Sequence, residues 1–331
     1  MQSVTERNDF VLVERPRRNV ALVTLNRPER MNSMAFDVMV PLKAVLDELT
    51  YDNSVRAVVL TGAGRGFSSG ADHKSAGSVP HIEGLTRPTF ALRSMQVLDD
   101  VILGLRRMHQ PVIAAVNGAA IGGGLCLALA ADIRVAAEGA YFRAAGINNG
   151  LTASELGLSY LLPRAIGTSR AFELMLTGRD VDAAEAERIG LVSRSVPGDQ
   201  LLDTCYDMAE RIAGFSRPGI ELTKRTLWTG LDAASLEGHM QAEGLGQLFV
   251  RLLTANFEEA VAARAEKRSP EFTDERSREE ATSTDERSRE EATSTDERSR
   301  EEATSTDERS REEATSTDER SREEATSTDE K

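Results

Sequence analysis

The chain has 331 residues, 40% of them hydrophobic, and a formal net charge of −14. That length suits one large domain or two small ones, and no basic stripe marks a nucleic-acid partner. The acidity is uneven: from Thr273 the eleven residues TDERSREEATS occur five times before a closing TDEK. Five repeats at −2 each and a closing −1 leave −3 for residues 1–272, an ordinary globular balance.

Cys126 and Cys205 stand far apart and match neither a disulfide framework nor a zinc site. His81, His109 and His239 show no metal-ligand spacing. The opening MQSVTERNDF is charged, unlike a signal peptide, and no apolar run reaches membrane-spanning length. A cytoplasmic protein with no metal and no membrane insertion is expected.

In chain order, VLVERPRRNVALVTLN predicts two strands around a turn at Arg15–Arg18. FDVMVPLKAVLDELT, Phe36 to Thr50, has a helical apolar period, with Pro41 the one residue able to shift its start. Val55–Gly62 reads as a β-branched strand entering the loop AGRGFSSGADHKSAG, and Leu92–Met108 as a helix. Pro111–Gly118 reads as a buried strand, followed by Gly122-Gly123-Gly124 and an apolar helical segment, Leu125–Ala130. DIRVAAEG and YFRAA give two further strands. Strands alternating with helices predict an α/β class, with helices covering a sheet.

After Gly150 the pattern turns helical, beginning with a segment over Glu155–Leu161. The expected organisation is an α/β core over 1–200, a helical region over 201–272 and a tail over 273–331. The tail's only apolar residue per repeat is alanine, so it cannot bury a core and is expected to be disordered.

Two glycine-rich loops stand out. If they face each other, the amides of Ala71 and Gly123 can hold one oxygen, stabilising the charge that develops when a thioester becomes enolate-like. Tight strand–helix packing explains the same glycines. Neither loop is a phosphate-binding fingerprint.

RGFSSGADHKSAG together with QPVIAAVNGAAIGGGLCLALAADIRVAAEGAYF resembles the enoyl-CoA hydratase/isomerase, or crotonase, family. LNRPERMNSM, LLPRAIGTSRAFELMLTGRDVDAAEAERIGLV and FEEAVAARAEKRSPEF extend the resemblance over about residues 10–272. It implies a crotonase-like core of stacked ββα turns with a C-terminal helical region used in trimerisation, as a homotrimer or a dimer of trimers. It also implies an acyl-CoA substrate whose carbonyl oxygen lies between the amides of Ala71 and Gly123. Gly122, Asp72, His73 and Lys74 would border the pocket, and Lys267 would approach the CoA phosphates. No cofactor is implied, coenzyme A being part of the substrate.

Hydratases of this family use two glutamates, and the matching positions here are Cys126 and Gly146. Cys126, in an apolar run, reads as a packing residue whose pKa burial would raise. Glu155 is the candidate base, matching an acidic residue of related isomerases only if one residue is inserted after Gly150; without it the match is Ser154. Thr152 or Ser154 could instead place Glu155 in a helix-capping arrangement. Asn148 could orient a water or occupy a left-handed turn. The family label favours a hydratase-type lyase of fatty-acid or related acyl-CoA metabolism. The alternatives are a double-bond isomerase using Glu155 and a non-catalytic acyl-CoA-binding assembly protein.

Overall fold

A computed structural model describes residues 10–274; the repeats beyond Asp274, for which disorder was expected, lie outside the described residues. The chain begins with β1 (Val11–Arg17), β2 (Val20–Leu25), α1 (Phe36–Tyr51), β3 (Ala57–Gly62) and β4 (Gly66–Ser68). α2 (Arg87–Arg107), β5 (Val112–Val116), β6 (Ala119–Ile121), α3 (Gly123–Ala130), β7 (Ile133–Ala137) and β8 (Tyr141–Arg143) follow. Next come α4 (Leu158–Ile166), α5 (Thr168–Thr177), β9 (Val181–Asp182), α6 (Ala183–Ile189) and β10 (Arg194–Val196). Four helices complete the order: α7 (Leu201–Ala213), α8 (Arg217–Gly230), α9 (Leu236–Leu253) and α10 (Asn256–Glu266).

β1 and β2 form an antiparallel hairpin, turned at Arg18 and at Asn19, whose φ is 62°. The rest of the first sheet is parallel, in the order β1-β2-β3-β5-β7-β10. A second sheet has the order β4-β6-β8-β9. β3, β5 and β7 each pass through a short link into β4, β6 and β8. Each turn of chain therefore adds one strand to each sheet, and the turns stack into the expected spiral.

Two apolar layers hold the stack. One lies between the sheets and α1, α2, α3 and α4; the other covers the outer face of the first sheet, where Leu201, Cys205, Tyr206 and Ala209 of α7 meet Val59, Ile113 and Val135. β3 and β5 are buried along their whole lengths, as β-branched runs covered on both faces must be.

Three helix starts have local reasons, and two of them differ from expectation. α1 begins at Phe36 despite Pro41, because Val38, Met39, Leu42 and Leu46 all bury on its inner face and outweigh one missing backbone bond. α2 begins at Arg87, where Pro88 fits the first turn. α4 begins at Leu158 and not at Glu155, since Leu156 and Gly157 take left-handed φ values of 46° and 80°.

α8 is tied to the first sheet through Asp132. Its carboxylate accepts the Val112 amide at 2.7 Å and Trp228 Nε1 at 2.6 Å, and pairs with Lys224 Nζ at 2.9 Å. Lys224, 6% exposed, also donates to the carbonyls of Gln110 (2.8 Å) and Leu105 (3.2 Å). Burial lowers its pKa against the opposing pull of Asp132. α9, by contrast, buries none of its residues. Among the described residues no helix is long and apolar enough to cross a membrane, and no cluster of His, Cys, Asp or Glu is set to hold a metal ion.

Candidate active site

β4 and β6 pair in parallel, so the loops leaving them open at the same end. After β4 the backbone turns through Gly70, at φ 79°. A Cβ there would lie 2.5 Å from the Ile121 carbonyl oxygen and 3.2 Å from the Gly123 nitrogen, so the two loops touch at a point only glycine permits. After β6, Gly122 (φ 53°, ψ −119°) turns the chain into α3. Gly123 is the first helical residue, and its amide has no intrahelical acceptor and sits at the positive end of the helix dipole.

The Ala71 amide is released by a different device. Ala71 forms a parallel bridge with Met34, in which the Met34 amide donates to Gly70 O (2.7 Å) and the Asp72 amide to Met34 O (3.3 Å). The bridge bonds use the groups flanking Ala71, so its own N–H points from the opposite edge, the side of β6 and Gly123. Ala71 is exposed, and the loops that carry the two amides meet at Gly70.

Asp72 fixes this loop. Its side chain, 4% exposed, accepts Arg27 Nη1 (2.9 Å), Ser33 Oγ (3.0 Å), the amides of Lys74 and Ser75 (both 2.9 Å) and Arg30 Nη2 (3.5 Å). Burial would raise its pKa, but the two amides, the hydroxyl and the Arg30 charge outweigh it and bring the value down to about 2. Its acceptor capacity is thus spent on the protein. His73 and Lys74 follow, both exposed. Arg27, Arg30 and Ser33, the other half of this clamp, were not singled out from the sequence, where they lie some forty residues from Asp72.

Glu155 brings a carboxylate to the loops. Its Oε1 lies 3.2 Å from the place a Cβ on Gly122 would occupy, and the side chain is half-buried. Burial raises its pKa, while the nearby His73 acts in the opposite direction. Its backbone oxygen accepts the Leu158 amide at 2.8 Å and the Cys126 thiol at 3.5 Å. Cys126 is fully buried, and burial first, then the Glu155 charge, pushes its pKa well up. The structure therefore gathers Ala71, Gly122, Gly123, Cys126, His73 and Glu155. The capping alternative for Glu155 is corrected: α4 starts three residues later with Gly157 as its cap, and Thr152 Oγ1 donates to the Ser154 carbonyl (3.2 Å).

Gly146 is buried, and a Cβ on it would overlap the Thr152 carbonyl. The backbone at Thr152–Ala153 fills the space a side chain on this residue would need. Asn148 turns its amide against Gly178, at the end of α5. The left-handed residue of its turn is Gly150 (φ 71°), so the turn makes no conformational demand on Asn148. Lys267 is exposed in the turn after α10, at φ 56°. A cavity of about 400 Å³ lies under α8 beside Trp228 and Lys224 and includes none of these site residues.

A family profile described as enoyl-CoA hydratase/isomerase matches residues 15–276. A Mycobacterium bovis protein named probable enoyl-CoA hydratase echA12 is 84% identical over 266 residues, covering 80% of this chain and 93% of the relative. A crystal structure of a probable enoyl-CoA hydratase/isomerase from Mycobacterium abscessus is 75% identical, with TM-score 0.78 over 81% of this chain and 100% of that one. A monofunctional enoyl CoA isomerase from M. smegmatis is 73% identical, with TM-score 0.61 over 70% of this chain and 99% of that one.

Proposed function

The chain belongs to the enoyl-CoA hydratase/isomerase family, and from that premise we propose that it is an enoyl-CoA double-bond isomerase in which Glu155 moves the proton. The observation that carries this reading is the Glu155 carboxylate at the Gly122 turn, with a thiol at position 126 and bare backbone at 146. The M. smegmatis isomerase, at 73% identity, supports it.

In the proposed reaction the thioester oxygen accepts hydrogen bonds from the Ala71 and Gly123 amides. Glu155 removes a proton from C2 of a 3-enoyl-CoA; that C–H pair moves into a dienolate, and negative charge gathers on the oxygen. The protonated Glu155 then returns the proton to C4, closing the double bond between C2 and C3. No atom or electron is gained or lost, so the step consumes no cofactor. Water addition asks for more: one group must deprotonate the water while a proton is delivered to the neighbouring carbon. The names of the echA12 relatives favour that hydratase reading, so the test includes it.

The full chain is incubated with 3-enoyl-CoA and 2-enoyl-CoA substrates, and the products are followed by mass spectrometry in H₂O and D₂O. Double-bond migration without a water adduct is the expected result. Hydroxyacyl-CoA formed at an enzymatic rate would replace this reading with the hydratase; thioester binding without either product would replace it with a binding protein. Since Glu155 must be ionised and burial raises its pKa, turnover should rise with pH through a point above the ordinary glutamate range. An acid limb at or below that range would remove Glu155 from the role.

We also propose that the chain self-associates through α9, where Leu245, Leu248 and Phe249 are 70%, 54% and 52% exposed on a helix with no buried residue. Leu248→Glu, together with Phe249→Glu, should shift the sedimenting species to monomer without unfolding it. An unchanged sedimentation profile would exclude this face.

A further inference from the structure

The proposed chemistry gives no task to Cys126, a fully buried thiol one helical turn from the Gly123 amide. Its surroundings are not those of a plain packing residue. The thiol donates to the Glu155 carbonyl at 3.5 Å, and the Leu158 amide donates to the same oxygen at 2.8 Å, so the backbone of Glu155 is held from two sides. The raised thiol pKa keeps that weak donor protonated throughout the working pH range.

A second observation is independent of the thiol. Leu156 is at φ 46°, a region uncommon for a bulky side chain, and is 7% exposed. Its Cδ1 lies 3.5 Å from where a Cβ on Gly123 would stand. Such a conformation persists where its surroundings over-determine it. Both contacts come from α3, the helix that also supplies the oxyanion amide. One rigid element thereby sets the base and the oxyanion donor relative to each other.

We infer that Cys126 is a positioning residue for Glu155: with Leu156 packed beside Gly123, its bond to the Glu155 carbonyl fixes the distance from the carboxylate to the thioester site. The thiol stands where the family's hydratases place a glutamate and, in this chain, steers a carboxylate 29 residues further on. The inference rests on the reading of Glu155 as the base.

The test compares Cys126→Ala, which removes the donor, with Cys126→Ser, which keeps one. Misplacement of a reacting group by about 1 Å costs up to ~10²-fold, and a weak donor is one of two anchors. Cys126→Ala should therefore lower kcat about tenfold at unchanged KM, with Cys126→Ser recovering most of the loss. A packing role moves stability instead and leaves kcat per folded molecule equal in the two variants, an outcome that overturns the inference. If Cys126→Ala does not fold, Leu156→Gly decides: glycine accepts the left-handed turn but releases Gly123, and wild-type kcat in that variant is equally fatal. Glu155→Gln separates the two layers. If it remains active, the base assignment fails; if it is inactive while folded Cys126→Ala is unimpaired, only the positioning role fails.

Discussion

Glu155→Gln should abolish double-bond migration, with kcat reduced by about 10³-fold, within the ~10²–10⁴ range for general acid–base catalysis. Glutamine preserves shape and length, so the Leu158 and Cys126 bonds to the backbone oxygen survive and the loss is chemical. Acyl-CoA affinity should hardly move, because in the proposed complex amides bind the thioester oxygen.

Stability should move in the opposite direction. Burial raises the Glu155 pKa, so the native state favours the neutral acid. Stability linked to that proton is fully present below the unfolded-state pKa and is lost as pH rises through the native one. A neutral glutamine escapes the loss. Its melting temperature should match wild type in acid and exceed it at neutral pH. A proposed base that destabilises its own fold is a trade-off expected of active sites. Full turnover in the variant would remove Glu155 from the mechanism, and a lower melting temperature at neutral pH would contradict its cost as a buried charge.

The parts of this site that were legible in the sequence are those written in backbone. Gly70 and Gly122 announce turns that other residues resist, and the runs VVLTG and VIAAV announce the buried strands that lead into them. Even so, the meeting of the two loops depends on the β4–β6 pairing, whose strands are three residues each and too short to show a period. Glu155 was visible as a residue but not as a geometry. The apolar period runs on from Glu155 through Leu161, so it predicted a helix that the left-handed Leu156–Gly157 pair postpones.

Positions 126 and 146 show the same division. That positions 126 and 146 carry no carboxylate is plain from the sequence. That Thr152 backbone fills the space beside Gly146, or that the Cys126 thiol reaches Glu155, is a tertiary fact with no local signature. Apolar neighbours marked Cys126 as buried, correctly. What burial placed next to it could not be read from those neighbours.

Asp132→Ala should be the most damaging substitution outside the active site, costing about 3–5 kcal/mol of unfolding free energy as expected for breaking a buried ion pair. Asp132 precedes β7 and accepts the Val112 amide. The structure adds Trp228 Nε1 and the Lys224 ammonium, both from α8. Removing the carboxylate leaves a cation with only carbonyl partners in a nearly solvent-free setting, and leaves an indole N–H without its acceptor. The cost arises from the uncompensated charge more than from the lost attraction, and a second substitution distinguishes these. Lys224→Met on the Asp132→Ala background deletes that charge at similar volume, so the double variant should be more stable than Asp132→Ala alone. Urea denaturation of the four proteins in the cycle measures the coupling. Additive losses would mean that α8 is held by apolar packing and that the Asp132–Lys224 pair contributes little; a double variant above the single one would show that the pair is retained because neither partner can be lost alone.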